Sequence, residues 1–333
     1  MALTTNYLGL ALNNPLIASA SPLSSRLDNI RRLEDAGAGA IVLPSVFQEQ
    51  IEAEADQVSA RIDAYAESSP EAQSYFSGAI ANPYGMGPDS YLDLVRRARA
   101  AVGVPVIASL NGSSRAGWTD FARLIEQAGA SALELNMYHV PTDLLESGQV
   151  IETRYAEIVE AVCRTVALPV AVKLTPYLSS IGHFAEQLVG RGAVGLVLFN
   201  RLLEPDIDLS VMKLMDRLEL SEPEEMRLPM LWIAILSGRT KASLAASTGV
   251  ADVTGVVKYL LAGADAVMTT SALLRHGAGY MSTLVNGLRA WMEEREIASL
   301  DDMRGMMSLS HSRDRSAYSR ANYIRILGHY AAP

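Results

Sequence analysis

Residues 168–176 read Leu168-Pro169-Val170-Ala171-Val172-Lys173-Leu174-Thr175-Pro176, an apolar run with a proline near each end. The pattern predicts a short strand with both faces buried, as in a parallel sheet covered by helices. Lys173 is the exception, because taking an ammonium group out of water is costly unless a partner compensates its charge. We therefore expect Lys173 to reach a polar mouth or to meet an electron-rich ligand.

Similar strands recur along the chain. In four places a helical pattern passes through a Gly/Ala turn into an apolar run, and the glycine is expected to end the helix. These segments are 31–43, 124–135, 187–198 and 259–268. Further apolar runs lie at 14–18, 104–110, 168–174 and 241–246. Eight strands alternating with helices predict an α/β fold, the (β/α)8 TIM barrel, with insertions on its C-terminal, active-site face.

A doubly wound open sheet is the alternative architecture. It would carry a glycine-rich dinucleotide-binding turn after its first strand, and the sequence after Ala18 has none. The length of 333 residues is long for an ordinary domain but normal for one barrel. We predict a single domain over residues 1–333.

Three segments interrupt or extend the barrel pattern. An insertion over about 47–87 follows the second strand, on the face where lids over active sites grow. An irregular insertion over about 201–230 is predicted to hold a short helix at 210–218, with an extra strand at 229–236. The sixth barrel helix should then be short or displaced. Spaced apolar residues predict a terminal helix at about 314–328, docked on the barrel or at a subunit interface.

Charge and composition exclude several classes of function. The formal net charge of −9, without a lysine/arginine cluster, argues against nucleic-acid binding. The single cysteine, Cys163, excludes a disulfide framework and is expected to be a core residue. There is no signal-peptide pattern and no apolar run of about 18 residues, so we expect a cytoplasmic protein with no membrane partner. We predict no metal site.

Polar residues or glycines stand where the predicted strands end. They are Ser19, Ser21, Ser45, Asn111, Asn136, Lys173, Asn200, Thr248, Gly249, Thr270 and Ser271. In a (β/α)8 barrel these strand ends share one rim, which is the catalytic face. Each asparagine alone could cap a turn, but three of them around a lysine would frame a planar heterocycle with C=O and N–H edges.

A phosphate site is indicated after the seventh and eighth strands. Ser247-Thr248-Gly249-Val250 and Thr269-Thr270-Ser271 supply small residues and backbone N–H groups where barrels often bind a phosphate. Two tight turns without a ligand are the alternative. A phosphate at one side of the mouth with a planar ring across the top describes bound FMN.

With these residues the chain resembles the dihydroorotate dehydrogenase family of FMN barrels over nearly all of its length. The strand with Lys173 is the most specific part of the likeness. Other similar segments are 14–22, 108–112, 134–137, 198–200, 236–239, 248–250 and 262–267. The resemblance implies FMN as the cofactor, with twelve binding residues: Ser19, Ala20, Ser45, Asn111, Asn136, Lys173, Asn200, Gly238, Thr248, Gly249, Thr270 and Ser271.

The resemblance also implies individual roles. Lys173 would lie near the pyrimidine edge of the flavin, where a fixed cation stabilises the negative charge of the reduced form. Our own prediction for substrate binding is Asn82, Asn136, Asn200 and Arg201. In this family a base takes a proton from one carbon while its neighbour gives hydride to the flavin.

Three positions depart from the family's pattern. In the loop 136–142, His139 stands where the family has a cysteine or serine base. Histidine suits proton transfer at neutral pH, and a solvent-exposed loop histidine is the alternative. The stretch 43–45 lacks the lysine expected in the second strand, and Arg201 replaces a small hydroxyl residue. Arg201 could clamp a carboxylate or fill the pocket.

We therefore predict an FMN-dependent oxidoreductase of the dihydroorotate dehydrogenase type, acting on the CH–CH group of a dihydropyrimidine-like small molecule. If the family function is kept, dihydroorotate becomes orotate in pyrimidine biosynthesis. His139 and Lys173 are the predicted catalytic residues, and we expect a homodimer. The alternatives are a flavin-binding protein without this catalysis and a non-redox barrel enzyme acting on a phosphate ligand. The electron acceptor is left open.

Overall fold

Eight parallel strands close into a barrel. The computed structural model describes residues 1–47, 87–111, 115–138, 140–202, 204–215, 219–312, 318, 322–324 and 327. Each barrel strand pairs in parallel with the next along the chain, and the eighth pairs with the first. The strands are β1 Leu16–Ala18, β2 Ala40–Phe47, β3 Val106–Asn111, β4 Ala132–Asn136, β5 Val170–Leu174, β6 Gly195–Leu198, β7 Ser243–Ala246 and β8 Ala266–Thr269.

Helices follow the strands and cover the outside of the barrel. They are α1 Leu27–Asp35, α2 Pro88–Ala101, α3 Arg115–Gln127, α4 Gly148–Thr165, α5 Ile181–Gly190, α6 Arg227–Leu236, α7 Val253–Ala262, α8 Ser271–His276 and α9 Tyr280–Glu294. Their apolar faces and the outward side chains of the strands form one large core. The predicted (β/α)8 barrel is confirmed.

The glycines of the four predicted helix-to-strand turns adopt the conformation that ends a helix. Gly37, Gly129, Gly192 and Gly263 all have left-handed φ angles, between +89° and +115°. Gly263 donates its N–H to the Tyr259 and Leu260 carbonyl oxygens at the end of α7. A residue with a Cβ would be strained in this conformation, so the repeated Gly/Ala turn marks where each strand begins.

A two-stranded hairpin, Thr5–Tyr7 paired with Leu10–Leu12, closes the barrel at the N-terminal ends of its strands. The Leu8 N–H donates to Ser243 Oγ at 3.1 Å, at the start of β7. Tyr7 is fully buried in the interior. Gly195, at the start of β6, leaves room for the hairpin, because a Cβ there would lie 2.1 Å from Leu8 Cδ2.

The barrel interior has an apolar lower part and a polar upper part. Side chains alternate between the two faces of each strand, so every second residue points inward. The apolar part is formed by Tyr7, Leu8, Leu12, Ile17, Ala40, Val42, Ile107, Ala132, Ala171, Val197, Ala245, Ala266 and Met268. Toward the C-terminal ends, the inward positions carry Ser19, Ser45, Ser109, Asn111, Glu134, Asn136 and Lys173. The strand ends therefore form a buried polar mouth.

The structure corrects the sequence prediction for the insertion after β6. In place of a helix at 210–218, a short hairpin pairs Ile207–Asp208 with Lys213–Leu214, and residues 216–218 lie outside the described part. The predicted strand at 229–236 is instead most of helix α6. Pro229 is tolerated because it lies in the first helical turn, where backbone N–H groups have no intrahelical partner. The sixth barrel helix, predicted to be short or displaced, has the same length of 10 residues as α5 and α7, and it begins only after the insertion.

Two other predicted segments fall mostly outside the described residues. The insertion at about 47–87 is described only at its two ends. The terminal helix at about 314–328 is described only at residues 318, 322–324 and 327. Cys163, on α4, is partly buried and packs against the outer core. Within the described residues, no helix is both long and apolar enough to cross a bilayer.

Candidate active site

The C-terminal ends of the strands surround a cavity of about 230 Å³. Eight of the residues predicted to bind the cofactor line it: Ser19, Ala20, Lys173, Asn200, Thr248, Gly249, Thr270 and Ser271. A neighbouring cavity of about 460 Å³ shares part of this wall, including Asn200, Arg201 and Thr248. Ligand pockets typically measure roughly 300–1,000 Å³, so the two cavities together provide room for a nucleotide-sized group.

Lys173 reaches this mouth from β5. Its side chain is 9% exposed, and Nζ donates to Ser19 Oγ at 3.4 Å. Nζ also lies 3.8 Å from Glu134 Oε1 on the neighbouring strand β4. The lysine is therefore buried in polar surroundings, with a carboxylate that the sequence analysis did not single out.

Glu134 is the second charged residue inside the barrel. Its side chain is 1% exposed, and within the described residues neither carboxylate oxygen has a hydrogen-bond partner of ordinary geometry. Burial raises the pKa of the Glu134 carboxyl, while the Lys173 ammonium and the nearby Ser109 hydroxyl lower it in part. The signal in the sequence was a single charge in an apolar strand, two residues before Asn136.

Hydrogen-bonded side chains cross the mouth from β3 to the end of β6. Ser45 Oγ lies 2.7 Å from Ser109 Oγ and accepts from Asn136 Nδ2 at 3.2 Å. Asn136 Oδ1 accepts from Asn200 Nδ2 at 2.5 Å. These bonds fix the amides of Asn136 and Asn200, the two asparagines predicted to serve both cofactor and substrate.

Asn111 carries an unpaired donor. Its side chain lies at the end of β3, is 5% exposed, and its Nδ2 has no hydrogen-bond partner among the described residues. Leaving a buried donor without a partner costs about 1–3 kcal/mol, so such a group needs an explanation. An oxygen or ring nitrogen of a bound ligand would provide one.

The predicted phosphate corner has an unusual backbone. Thr248 and Gly249 both have left-handed φ angles, +80° and +72°. A β-branched residue rarely adopts this conformation, and strain of this kind tends to occur at functional sites. Turns of this kind can direct successive N–H groups toward an anion. The first turn of α7 is not part of this corner, because the Asp252 side chain already accepts from Gly255 N–H at 2.9 Å.

The insertion after β6 reaches into the same corner. Ser221 Oγ accepts from Gly249 N–H at 3.1 Å and lies 2.9 Å from Ser271 Oγ. Arg275 fixes this segment by donating to the Ser221 carbonyl at 3.1 Å. Ser221 and Arg275 were not among the predicted site residues, since only the folded insertion brings Ser221 beside Gly249.

Arg201 is at the mouth but is already paired. Its Nε donates to Glu225 Oε2 at 2.7 Å, and its guanidinium also contacts the Glu219 carbonyl oxygen. Both partners belong to the insertion after β6. A substrate carboxylate could be clamped by Arg201 only by replacing these contacts.

One described site residue from the sequence prediction, Gly238, does not join this group. Gly238 lies between α6 and β7, at the opposite end of the barrel, where a Cβ would approach Ser310 Oγ at 3.3 Å. Its assignment to the cofactor site is therefore corrected: the Ser-Gly motif matched the family in residue type, but the chain has left the mouth along α6 before reaching it. Asn82 and His139 lie outside the described residues.

The described residues at the mouth fit FMN. The Lys173 ammonium and the unpaired Asn111 amide are donors suited to the oxygen- and nitrogen-rich pyrimidine edge of a flavin. The backbone N–H groups of Thr248, Thr270 and Ser271 and the Ser271 hydroxyl suit its phosphate, whereas the Thr248 and Thr270 hydroxyls already donate to the Phe199 and Ser19 carbonyl oxygens. Within the described ranges, no three His, Cys, Asp or Glu side chains are grouped to hold a metal ion.

Comparison with known proteins agrees with this geometry. The family model described as "Dihydroorotate dehydrogenase" matches residues 2–292 of the chain. The chain belongs to the dihydroorotate dehydrogenase family. It is thus an oxidoreductase of the dihydroorotate dehydrogenase type.

Several curated relatives match most of the chain. A protein of Aeropyrum pernix named "Putative dihydroorotate dehydrogenase A (fumarate)" is 28% identical over 312 residues, which cover 91% of this chain and 96% of the relative. Proteins of Thermoplasma acidophilum and Pyrococcus abyssi, each named "Dihydroorotate dehydrogenase B (NAD(+)), catalytic subunit", are 25% identical over 307 and 321 residues. Each alignment covers 91% of this chain and 98% of the relative. The relatives' names thus include two electron acceptors.

Proposed function

We propose that this chain binds FMN across the barrel mouth and transfers hydrogen to or from the CH–CH group of a dihydropyrimidine-like molecule, with dihydroorotate the first substrate to test. The observation that carries the proposal is the buried Lys173 ammonium, 9% exposed, at the mouth of a barrel of this family. Glu134 compensates part of this charge, but among the described residues Ser19 Oγ is the one hydrogen-bond acceptor of the ammonium, so an electron-rich ligand at the mouth would complete its partners. FMN, when bound, would supply hydride transfer.

The proposal gives each group at the mouth a separate task. Lys173 would face the pyrimidine edge, where a cation stabilises the negative charge that reduction creates. Asn111 Nδ2 would donate to the same ring system, which gives the unpaired donor its partner. The amides of Asn136 and Asn200, held by their mutual hydrogen bond, would orient the substrate.

Visible spectroscopy tests the proposal directly. Protein as purified, or after incubation with FMN and removal of the excess, should be yellow and contain about one FMN per chain. Anaerobic addition of dihydroorotate or dihydrouracil should bleach the flavin band. A flavin that neither molecule bleaches would favour a flavin-binding protein without this catalysis. A colourless protein that retains no added FMN would favour a non-redox barrel enzyme.

A comparison of two substrates shows whether Arg201 binds the substrate. Dihydroorotate carries a carboxylate and dihydrouracil does not, so only dihydroorotate gains from displacing Glu225 at the Arg201 guanidinium. Equal bleaching rates with the two molecules would indicate that the Arg201–Glu225 pair stays closed. Faster bleaching with dihydroorotate would indicate that Arg201 is released to the substrate.

The electron acceptor is a second question at the same site. The relatives' names point to fumarate in one case and NAD(+) in others. Reoxidation of the bleached protein by fumarate and by NAD(+), each followed anaerobically at the flavin band, separates the two. If neither fumarate nor NAD(+) reoxidises the flavin, a partner protein would be needed to accept the electrons.

His139 stays the predicted base. In the sequence it takes the place of the family's cysteine or serine, and histidine is the residue type best suited to accept a proton near neutral pH. We expect His139→Ala to lower the bleaching rate by about 10²-fold or more, with an unchanged FMN content. His183→Ala, which removes an exposed histidine of α5, is the matched control. An unchanged rate in His139→Ala would assign proton removal to another group.

We also propose that two copies of the chain associate through the hairpin at 207–214. Five large apolar side chains are exposed on this short segment: Ile207, Leu209, Val211, Met212 and Leu214. Exposed apolar side chains concentrated in one short segment commonly mark a protein interface. We expect wild-type protein to behave as a dimer in light scattering after gel filtration and Leu209→Asp to behave as a monomer. Leu124→Asp on α3 should remain dimeric, and a monomeric wild type would contradict the assignment.

A further inference from the structure

Glu134 is a buried charge that the proposed reaction does not use. It lies on β4, where Glu134 pairs in register with Ala171 and Asn136 with Lys173. Glu134 is thus two residues below Asn136, away from the rim. It cannot be expected to touch a flavin or a substrate above Asn136, so any effect on the reaction must pass through a neighbour.

The neighbour is Lys173. Glu134 Oε1 lies 3.8 Å from Lys173 Nζ, and neither carboxylate oxygen has a hydrogen-bond partner among the described residues. Two opposite charges at this distance inside a protein interact far more strongly than they would in water. The carboxylate is 1% exposed, so solvent screens this attraction little.

The other polar groups around Glu134 cannot replace this partner. Ser109 lies nearby without forming an ordinary hydrogen bond to the carboxylate, and its hydroxyl is shared with Ser45 at 2.7 Å. The Tyr7 hydroxyl of the N-terminal hairpin is buried and also lacks a partner among the described residues. The ammonium of Lys173 is thus the main counter-charge of Glu134.

We propose that Glu134 is a positioning residue for Lys173: it holds the ammonium at the base of the mouth and offsets part of its charge. Through this offset Glu134 sets how strongly the site prefers reduced over oxidised FMN. The inference rests on the proposed function, because it requires FMN to lie against Lys173. It assigns the control of the flavin's reduction potential to a residue that never contacts the flavin.

Glu134→Gln tests the proposal, because it removes the charge and preserves the shape. Without the offset, Lys173 presents its full positive charge to the reduced flavin. The ratio of the dissociation constants of oxidised and reduced FMN should rise by about tenfold or more. For a two-electron couple, tenfold corresponds to a midpoint potential higher by about 30 mV, measured by anaerobic titration against a reference dye.

A charge on the protein surface provides the matched control. Glu186, on α5, is exposed, and Glu186→Gln should leave the potential unchanged because water screens this charge. Glu134→Asp keeps the carboxylate but shortens its side chain, so it should raise the potential in the same direction by less than Glu134→Gln. This second variant also answers the question if Glu134→Gln does not fold.

The outcomes separate this inference from the proposed function. A wild-type protein that retains no FMN would defeat the proposed function itself. If the wild-type protein holds FMN, an unchanged or lower midpoint potential of the flavin in Glu134→Gln overturns the positioning role. If Glu134→Gln does not fold, an unchanged midpoint potential in Glu134→Asp overturns it.

Discussion

Lys173→Met should produce a protein that loses FMN on gel filtration and unfolds at lower denaturant concentration than the wild type. Removing one partner of a buried ion pair typically costs about 3–5 kcal/mol, because the other charge stays buried without compensation. Flavin affinity should fall by at least tenfold, since the cation that faces the pyrimidine edge is gone. Urea unfolding and fluorescence titration with FMN measure the two effects.

The stability loss in Lys173→Met should depend on pH in a defined direction. Burial already raises the pKa of Glu134 above its ordinary value of 4.5, and removing the lysine takes away a group that lowers it. Above pH 4.5 the folded state then binds more protons than the unfolded state, so the free energy of unfolding falls as pH rises. The difference from wild type should therefore be smallest below pH 4.5 and widen toward neutral pH.

Lys241→Met is the control for this variant. Lys241 is exposed and lies at the opposite end of the barrel, before β7. Its removal should leave FMN retention and the pH profile of stability unchanged. If Lys173→Met kept FMN as tightly as the wild type, the flavin would have to lie elsewhere, and the role given to Lys173 would be lost.

Gly249→Ala is the second substitution with a large expected effect. A Cβ at Gly249 would lie 2.6 Å from Met226 Cγ and 2.9 Å from the Glu222 carbonyl oxygen. The backbone of Glu222 cannot give way without moving the insertion that carries Ser221. Overpacking costs about 1–3 kcal/mol, and a left-handed φ of +72° adds about 1–2 kcal/mol for alanine. We expect lower stability together with at least tenfold weaker FMN binding.

Gly129→Ala separates the two causes. Gly129 has a similar left-handed φ of +89°, but a Cβ there would meet no atom within 4 Å. It lies in the turn between α3 and β4, away from the mouth. Gly129→Ala should therefore lose only the smaller amount of stability and bind FMN normally. Equal FMN affinity in both variants would argue that the turn at Gly249 does not hold the phosphate.

The barrel and most of its mouth could be predicted because their signals are local. An apolar strand buried on both faces has only one place for Lys173, the polar end of the barrel interior. The Gly/Ala turns before the strands correctly marked where helices end. Glu134 was missed although it follows the same rule, because the alternation Leu133-Glu134-Leu135 equally describes a strand with one face in water. Only the pairing of β4 with β5 turns this carboxylate toward Lys173.

The insertion after β6 could not be predicted, because its structure depends on distant contacts. The apolar run at 229–236 is short enough for either a strand or a helix, and packing of α6 against its neighbours decides for the helix. Gly238 was placed by residue type in a motif, whereas its position depends on where α6 ends. Ser221 reaches Gly249 and Ser271 only through this folded insertion.

The hairpin that closes the lower end of the barrel also bears on how the chain folds. Thr5 Oγ1 donates to the Asp265 carbonyl at 2.9 Å and accepts from Arg304 at 2.9 Å, contacts that join residues 260 and 299 positions apart. Contacts of such wide sequence separation form slowly, because a long loop must close first. During synthesis on a ribosome, residues 5–12 must wait for nearly three hundred others before they can dock. The first hairpin to be made should be among the last elements to reach its native place.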